Sequence, residues 1–237
     1  MSQVVPVLMY HIIAPVDKRS LVPLQYTDPG HLERQMKALK ALRLNTVLMG
    51  ELGSGSLPAK SVVLTYDDAY ANFYTAAVPI MKKYGFKGTT FVVGNQIGGT
   101  NAWDVALGDV AHPLMTADQI RMSRADGMEI GAHTMDHVKL ARREPAVAWK
   151  QIADSKEVIE EVLGESITSF CYPYGSCNEE VRDLVEKAGF TTACTTVQGV
   201  NTDKTDRYLL FRYNCKHNTT AFQYVARLFR AAVAGRA

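Results

Sequence analysis

The sequence predicts an α/β fold, a single-domain distorted (β/α) barrel with about seven parallel strands, and three observations support this. Short apolar stretches alternate with segments of helical periodicity along the chain, as is typical of strand–helix units in a parallel sheet. With 47% hydrophobic residues among 237, the chain can bury the core of one α/β barrel. Polar side chains directly follow several predicted strands, as they do at the carboxyl-end rim of such barrels. We therefore expect one domain over residues 1–237.

Capping residues, prolines and glycines set the predicted element boundaries. Asp28 and Pro29 mark a helix start, because aspartate can cap the first amides and proline fits the first turn. Gly85, Gly164 and Gly189 mark helix ends, since glycine readily adopts the left-handed conformation found there. The predicted strands are 4–9, 46–49, 62–66, 88–93, 128–132, 168–171, 191–195 and 208–213. The predicted helices are 29–42, 75–84, 117–125, 145–163, 178–188 and 219–233.

Charge, cysteine usage and hydropathy argue against several classes of protein. The net charge is +2 and the basic residues are spread along the chain, which predicts no nucleic-acid or membrane-surface partner. The four cysteines include no C-x-x-C pair, which indicates reduced thiols and not a zinc knuckle or disulfide framework. No stretch is long enough to cross a bilayer and the N-terminus lacks a signal-peptide pattern. We expect a cytoplasmic protein, or an extracytoplasmic one if the chain has been trimmed.

The chain is organised around residues 62–68, an apolar run that ends in the carboxylates Asp67 and Asp68. Neighbouring side chains on an extended strand point in different directions. One carboxylate can therefore face a cation while the other faces a substrate. Taken alone, such a pair is more often a turn or a helix cap than a catalytic site.

His133 and His137, in the segment HTMDH, are the best candidate partners for such a cation. On a helical turn, residues four apart lie on one face, so both imidazoles could reach one metal ion. A lone HxxxH pattern is weak. Its occurrence after a predicted strand, together with the paired carboxylates, strengthens the prediction of a metal site.

Further candidate side chains also lie at or just beyond the ends of predicted strands, and these ends meet at one rim of a parallel barrel. They are His11, Asp67, Asp68, His133, Tyr174 and Arg212. The long connection 94–116 carries Trp103, which could stack on a sugar face or serve ordinary packing. Connections of this length usually have a function.

With these residues in hand, the chain resembles the polysaccharide deacetylase family, also described as NodB-homology domains or family-4 carbohydrate esterases. The family segment T-F-D-D is matched by TYDD at 65–68, and H-[ST]-x-x-H by HTMDH at 133–137. The segment R-x-P-Y is matched by CYPY at 171–174, with Cys171 in place of the arginine. The resemblance covers most of the chain and implies a NodB-like barrel.

The resemblance implies a metal held by Asp68, His133 and His137. It further implies that the backbone N–H of Tyr174 stabilises the oxyanion and that Pro173, Tyr174 and Trp103 contact the substrate. Asp-His-His ligation suits zinc, cobalt, nickel or iron. We expect one divalent ion, with zinc as the first expectation.

The remaining catalytic roles follow a branch of the family with an N-terminal YH motif, which VLMYH at 7–11 resembles. In that branch the histidine is the general acid, which implies His11, with His217 as the weaker candidate. Asp67 is then the base. Arg212 resembles an arginine of the same branch that holds the base ionised. A satisfied core histidine is the alternative for His11, and a structural ion pair is the alternative for Arg212.

These roles predict a metal-dependent hydrolase that removes an N-acetyl group from an amino sugar or polysaccharide through an activated water. Two alternatives stay open: hydrolysis of a non-sugar C–N bond in an amide or cyclic ureide, and a catalytically silent carbohydrate-binding barrel. The complete Asp and His motifs favour an enzyme. The missing arginine of the third motif favours the silent barrel.

Overall fold

A computed structural model describes residues 4–53, 56–216, 219–220 and 223. Its framework is one curled sheet of eight parallel strands in the order β7-β6-β5-β4-β3-β1-β8, with β2 beside β3. The predicted distorted (β/α) barrel is confirmed. The strands are Val7–Tyr10 (β1), Asn45–Val47 (β2), Ser61–Tyr66 (β3), Thr89–Val92 (β4), Glu129–Ala132 (β5), Ser169–Cys171 (β6), Thr192–Cys194 (β7) and Tyr213–Asn214 (β8).

Strand β3 lies at the centre of the sheet. It pairs with β1 from Val7↔Val63 to Tyr10↔Tyr66 on one side. On the other side its first residues pair with β2 and its last two with β4. All six of its residues are buried, as expected for a strand with neighbours on both edges. The carboxylates that follow β3 therefore emerge in the middle of the rim.

Within the described residues, six α-helices cover the sheet, and several of their boundaries follow the predicted caps closely. The Asp28 side chain accepts hydrogen bonds from the amides of Gly30 and His31, and Gly85 and Gly164 end their helices with φ of 72° each. The helices are Pro29–Ala41 (α1), Val78–Tyr84 (α2), Ala102–Val105 (α3), Ala117–Ala125 (α4), Pro145–Leu163 (α5) and Glu179–Lys187 (α6).

The structure differs from the sequence prediction in several segments. Helix α3 lies within the connection 94–116, where no helix was predicted. The predicted helix 75–84 begins earlier, as a π-helical turn over Phe73–Ala77 that leads into α2. The predicted strand 208–213 is wrong for most of its length, because the Asp206 side chain accepts a hydrogen bond from the Tyr208 amide and turns the chain. Leu210 forms only an isolated bridge to Cys194.

The predicted final helix, 219–233, lies almost entirely outside the described residues, and so does His217. All four cysteines are free, and three of them are buried, in agreement with the predicted reduced thiols. Over the described part of the chain, no helix is long and apolar enough to span a bilayer.

Candidate metal centre and active site

The two carboxylates after β3 point in different directions because the backbone still follows the strand at Asp67 and is left-handed at Asp68. The Asp67 amide donates to the Tyr10 carbonyl at 2.9 Å and so continues the strand ladder. Asp68 and Ala69 then adopt left-handed conformations, with φ of 69° and 53°. Such conformations are uncommon for residues with a Cβ and mark a sharp turn. The turn sends neighbouring carboxylates toward different partners, as the sequence predicted.

The segment HTMDH forms a tight turn and not the helical turn that we expected. Thr134 and His137 have left-handed φ of 65° and 53°. Backbone bonds hold this turn on both sides: the Gly94 amide donates to the Thr134 carbonyl at 3.0 Å, and the Met135 amide donates to the Gln151 carbonyl at 3.1 Å. The loop after β4 and helix α5 therefore fix the positions of the two histidines.

Asp68, His133 and His137 come together as a buried cluster. The Nε2 atoms of His133 and His137 lie 3.4 and 3.2 Å from Oδ1 of Asp68, and the three ligand atoms are all within 4.8 Å of one another. That Oδ1 atom has no hydrogen-bond partner among the described residues. An unsatisfied buried carboxylate oxygen facing two imidazoles is a fitting donor set for one divalent cation.

Hydrogen bonds behind the histidines orient their Nε2 atoms toward Asp68. Nδ1 of His133 donates to the Cys171 carbonyl at 2.7 Å, and Nδ1 of His137 lies 3.1 Å from the Tyr174 hydroxyl. A backbone carbonyl can only accept, so His133 carries its proton on Nδ1 and leaves Nε2 as a ligand. This outer layer is the support that metal-binding imidazoles usually have.

The charges at this cluster favour an ionised carboxylate. Burial raises the pKa of Asp68, but the adjacent imidazoles of His137 and His133 outweigh it, and its pKa falls well below the ordinary value. Burial lowers the pKa of His137 and prevails over the opposing pull of Asp68. An ionised carboxylate and a neutral imidazole are the forms that bind metal.

Asp67 has a different partner, the guanidinium of Arg212. Nη1 and Nη2 of Arg212 donate to Oδ1 and Oδ2 of Asp67 at 2.6 and 2.8 Å, and Arg212 is fully buried. Burial raises the pKa of Asp67, but the guanidinium charge and its hydrogen bonds prevail and lower it. Cys171 occupies the position behind this pair, with its Sγ 3.1 Å from Nη2 of Arg212. Asp67 is therefore held ionised, as a base must be.

His11 lies across from Asp67 at the mouth of the site. Its Nε2 is 3.7 Å from Oδ2 of Asp67, and its side chain is 13% exposed. Its Nδ1 is buried without a hydrogen-bond partner among the described residues. The alternative of a core histidine satisfied by a hydrogen bond through this nitrogen therefore has no support in the described contacts.

The aromatic residues of the site surround His137. Trp103 stacks on its imidazole, with ring centroids 4.2 Å apart, and the Tyr174 ring packs against it edge-on at 4.6 Å. Tyr174 has a left-handed φ of 58° and is 49% exposed. The neighbouring Pro173 is buried beneath it. The exposed tyrosine face is thus presented at the entrance.

One cavity of about 290 Å³ collects most of the predicted residues. Arg212 and Pro173 lie outside its lining, behind Asp67 and beneath Tyr174 respectively. Sequence reasoning missed Asp104, which is buried in the lining with a pKa raised by its burial. Its only sequence signal was its position beside Trp103. The predicted residues in the lining are His11, Asp67, Asp68, Trp103, His133, His137 and Tyr174.

The fold and the site together define a (β/α)-barrel protein with a candidate site for a divalent cation. The profile of the family described as polysaccharide deacetylase matches residues 54–193. The match spans the carboxylate pair, both histidines and Tyr174. This chain belongs to the polysaccharide deacetylase family.

Two curated relatives show the range of similarity. The Bacillus subtilis (strain 168) protein YxkH, whose name assigns it provisionally to the polysaccharide deacetylases, is 30% identical over 212 residues, which cover 87% of this chain and 70% of that protein. A poly-beta-1,6-N-acetyl-D-glucosamine N-deacetylase of Staphylococcus epidermidis is 26% identical over 67% of this chain. The aligned region is 55% of that enzyme's length.

Solved structures show the same fold. The Streptococcus pyogenes deacetylase PplD, in complex with acetate, superposes with a TM-score of 0.84 at 24% identity, covering 96% of this chain and 99% of that one. IcaB from Ammonifex degensii gives a TM-score of 0.81 at 23% identity, covering 95% and 97%. The match over nearly the whole of both chains agrees with the barrel described above.

Proposed function

We propose that this protein is a metal-dependent deacetylase that hydrolyses the N-acetyl group of an amino sugar within an oligosaccharide or polysaccharide. The observation that carries the proposal is that two adjacent carboxylates face different partners. Asp68 faces two imidazoles, whereas Asp67 faces Arg212 and remains open to the cavity. Family membership and the deacetylase names of the relatives support the same reaction.

Asp68, His133 and His137 would hold the ion, one of zinc, cobalt, nickel or iron, with zinc the first choice for this donor set. When bound there, a divalent cation supplies an acidified water and a polarised acetyl carbonyl. The donor set is two imidazoles and one carboxylate, and imidazoles bind metal in their neutral form. The site therefore retains net positive charge when loaded, which favours a developing oxyanion.

Asp67 is the proposed base. Arg212 keeps its carboxylate ionised and fixed by two hydrogen bonds, so that it can accept a proton from the attacking water. His11 is the proposed acid: it lies across the cavity mouth and donates a proton to the departing amine nitrogen. With this assignment we propose that the chain belongs to the branch with the N-terminal YH motif.

Tyr174 is proposed to serve in two ways. Its backbone N–H donates to the oxyanion of the tetrahedral intermediate, and removing a donor of this kind typically costs about 3–4 kcal/mol of barrier. Its ring and hydroxyl stay against His137, which keeps the imidazole in place. Trp103, stacked on that imidazole, and Pro173 are proposed to shape the sugar subsite.

The test is acetate release from N-acetylglucosamine oligomers by protein loaded with zinc, cobalt or nickel, compared with chelator-treated protein. We expect metal-dependent release that is abolished in Asp67→Asn, while oligosaccharide binding persists. Cleavage confined to amides or cyclic ureides in the same panel would favour the alternative C–N hydrolase. Binding without any turnover would favour the silent barrel.

A matched control for Asp67→Asn is Asp136→Asn. Asp136 lies in the same histidine segment but is exposed and bonded to Asn95 and Gln151. Its loss should leave most of the activity. Equal loss in both variants would show that the effect of Asp67→Asn is structural and would remove its support for the base assignment.

A further inference from the structure

A basic turn borders the entrance of the candidate active site. It comprises residues 139–143 and lines a second cavity of about 390 Å³, next to the metal-binding histidine His137 and to Tyr174. Among the described residues that line this cavity, none carries a carboxylate. Three of the lining residues are exposed cations: Lys139, Arg142 and Arg143.

The basic turn is held firmly in place. Leu140 is fully buried in the main core cluster. The Ala141 amide donates to Oγ of Ser176 at 3.2 Å, which ties the turn to the loop that carries Tyr174. The amide of Arg143 donates to the Leu140 carbonyl at 2.9 Å. The backbone of the basic turn therefore has a fixed position relative to the site, and the three cations project from it.

The charges of the turn are uncompensated. Arg142, Arg143 and Lys139 have no ion-pair partner within the part of the chain that the structure describes, whereas four other surface arginines are paired. Arg34, Arg43 and Arg207 are also exposed without an ion pair, but they do not line this cavity. Lys139 instead places its ammonium 4.9 Å from the centre of the Tyr174 ring. One aromatic ring thus separates this cation from the His137 imidazole. The paired surface arginines are Arg19, Arg121, Arg124 and Arg182.

We propose that the basic turn is a subsite for an anionic group of the substrate, located beside the Tyr174 ring at the entrance of the candidate active site. This inference rests on the deacetylase function proposed above and specifies its substrate class as an acidic or phosphorylated N-acetylated glycan. Planar guanidinium groups recognise phosphate and carboxylate through paired hydrogen bonds, and the adjacent ammonium adds a point charge. Phosphate and carboxylate share this chemistry, and the substrate panel distinguishes them.

The experiment compares three probes with metal-loaded protein: a neutral N-acetylglucosamine tetramer, the same tetramer carrying a methyl phosphodiester, and a hyaluronan tetrasaccharide with alternating carboxylates. The readout is the ratio of kcat/KM for each anionic probe to that for the neutral one. We expect a ratio of about ten or more for at least one anionic probe, because two or three exposed charge contacts together are worth about tenfold. The ratio should fall as salt is added, since ions screen exposed charges.

The test variant is Arg142→Gln with Arg143→Gln, which removes two charges but leaves Lys139 on the Tyr174 ring. The matched control is Arg43→Gln with Lys60→Gln, two exposed cations just before β2 and β3, at the opposite end of the barrel. The selectivity ratio should fall about tenfold in the test variant and stay near the wild-type value in the control.

The outcomes separate the two proposals. Equal kcat/KM for neutral and anionic probes, or the same fall in both variants, overturns the subsite while the deacetylase function stands. If no probe releases acetate, the deacetylase function fails, and calorimetric binding of the same probes then decides the subsite. Tighter binding of an anionic tetramer that is lost in the test variant supports it, and equal binding overturns it.

Discussion

The pair of Asp67 and Arg212 leads to a quantitative prediction for the substitution Arg212→Met. Methionine keeps an apolar side chain in the buried space but removes the guanidinium that lies 2.6 and 2.8 Å from the two carboxylate oxygens. In the native protein that guanidinium overcomes burial and lowers the pKa of Asp67. Without it, burial is opposed chiefly by the nearby His11 and His133, and the pKa rises. Asp67 is then protonated over a wider acidic range.

The size of the effect follows from the geometry. Two unit charges about 4 Å apart in an environment of effective dielectric constant about 20 attract by roughly 4 kcal/mol, equivalent to about 3 pKa units. Neighbouring arginines lower carboxyl pKa values by about 1–3 units. We therefore expect the acidic limb of the kcat/KM profile to move to higher pH by about 1–3 units. Breaking the buried pair should also cost about 3–5 kcal/mol of folding free energy.

The assay is a pH–rate profile of metal-saturated protein, with metal content and thermal unfolding measured on the same sample. Arg212→Lys is the matched variant, because it keeps a positive charge but loses one of the paired hydrogen bonds. The acidic limb of its pH–rate profile should lie between those of the wild type and Arg212→Met. An Arg212→Met protein that is folded and metal-loaded but keeps the wild-type acidic limb would refute the assignment. In wild type the pair stabilises the fold above the ordinary Asp pKa of 3.8, and this contribution disappears as the pH falls through the lowered native pKa.

Three further substitutions test other parts of the site. His11→Ala should lower kcat by about 10²–10⁴-fold, the usual contribution of a general acid, with metal content unchanged in elemental analysis; parallel loss of metal would argue against that role. Asp68→Ala should weaken metal binding in a competition titration by more than the roughly 10–100-fold cost of losing a supporting contact. Leu140→Ala, in the basic turn, should lower the free energy of unfolding by about 2–5 kcal/mol in denaturant titration. Val147→Ala, at a side chain that is 46% exposed, should lower it far less. Equal decreases would contradict the anchoring described for Leu140.

The fold was readable from the sequence because its signals are local. The buried run of β3, the Asp28 cap and the αL glycines Gly85 and Gly164 each specify structure within a few residues. The segment before Arg212 was misread for the same reason. Its apolar letters suit a strand, but the hydrogen bond from the Tyr208 amide to the Asp206 side chain turns the backbone instead.

The sequence also indicated which side chains of the candidate site lie close together, but not their geometry. The rule that strand ends converge at one rim brought Asp67, Asp68 and the histidines together correctly. HxxxH suggested a helical turn, whereas the observed turn depends on hydrogen bonds to Gly94 and Gln151, which are remote in sequence. The basic turn was overlooked because its cations stand out only once they are seen in three dimensions to share one cavity whose described lining has no carboxylate.

The left-handed backbone at the site has a consequence for protein engineering. Among the described residues other than glycine, seven have positive φ, and five of these lie at the metal centre and its entrance. Each such conformation costs of the order of 1–3 kcal/mol, so Ala69→Gly is a candidate thermostabilising change that touches no catalytic group. Transplanting only the side chains onto another barrel would fail, because the recipient's relaxed loops would aim them elsewhere. The five are Asp68, Ala69, Thr134, His137 and Tyr174.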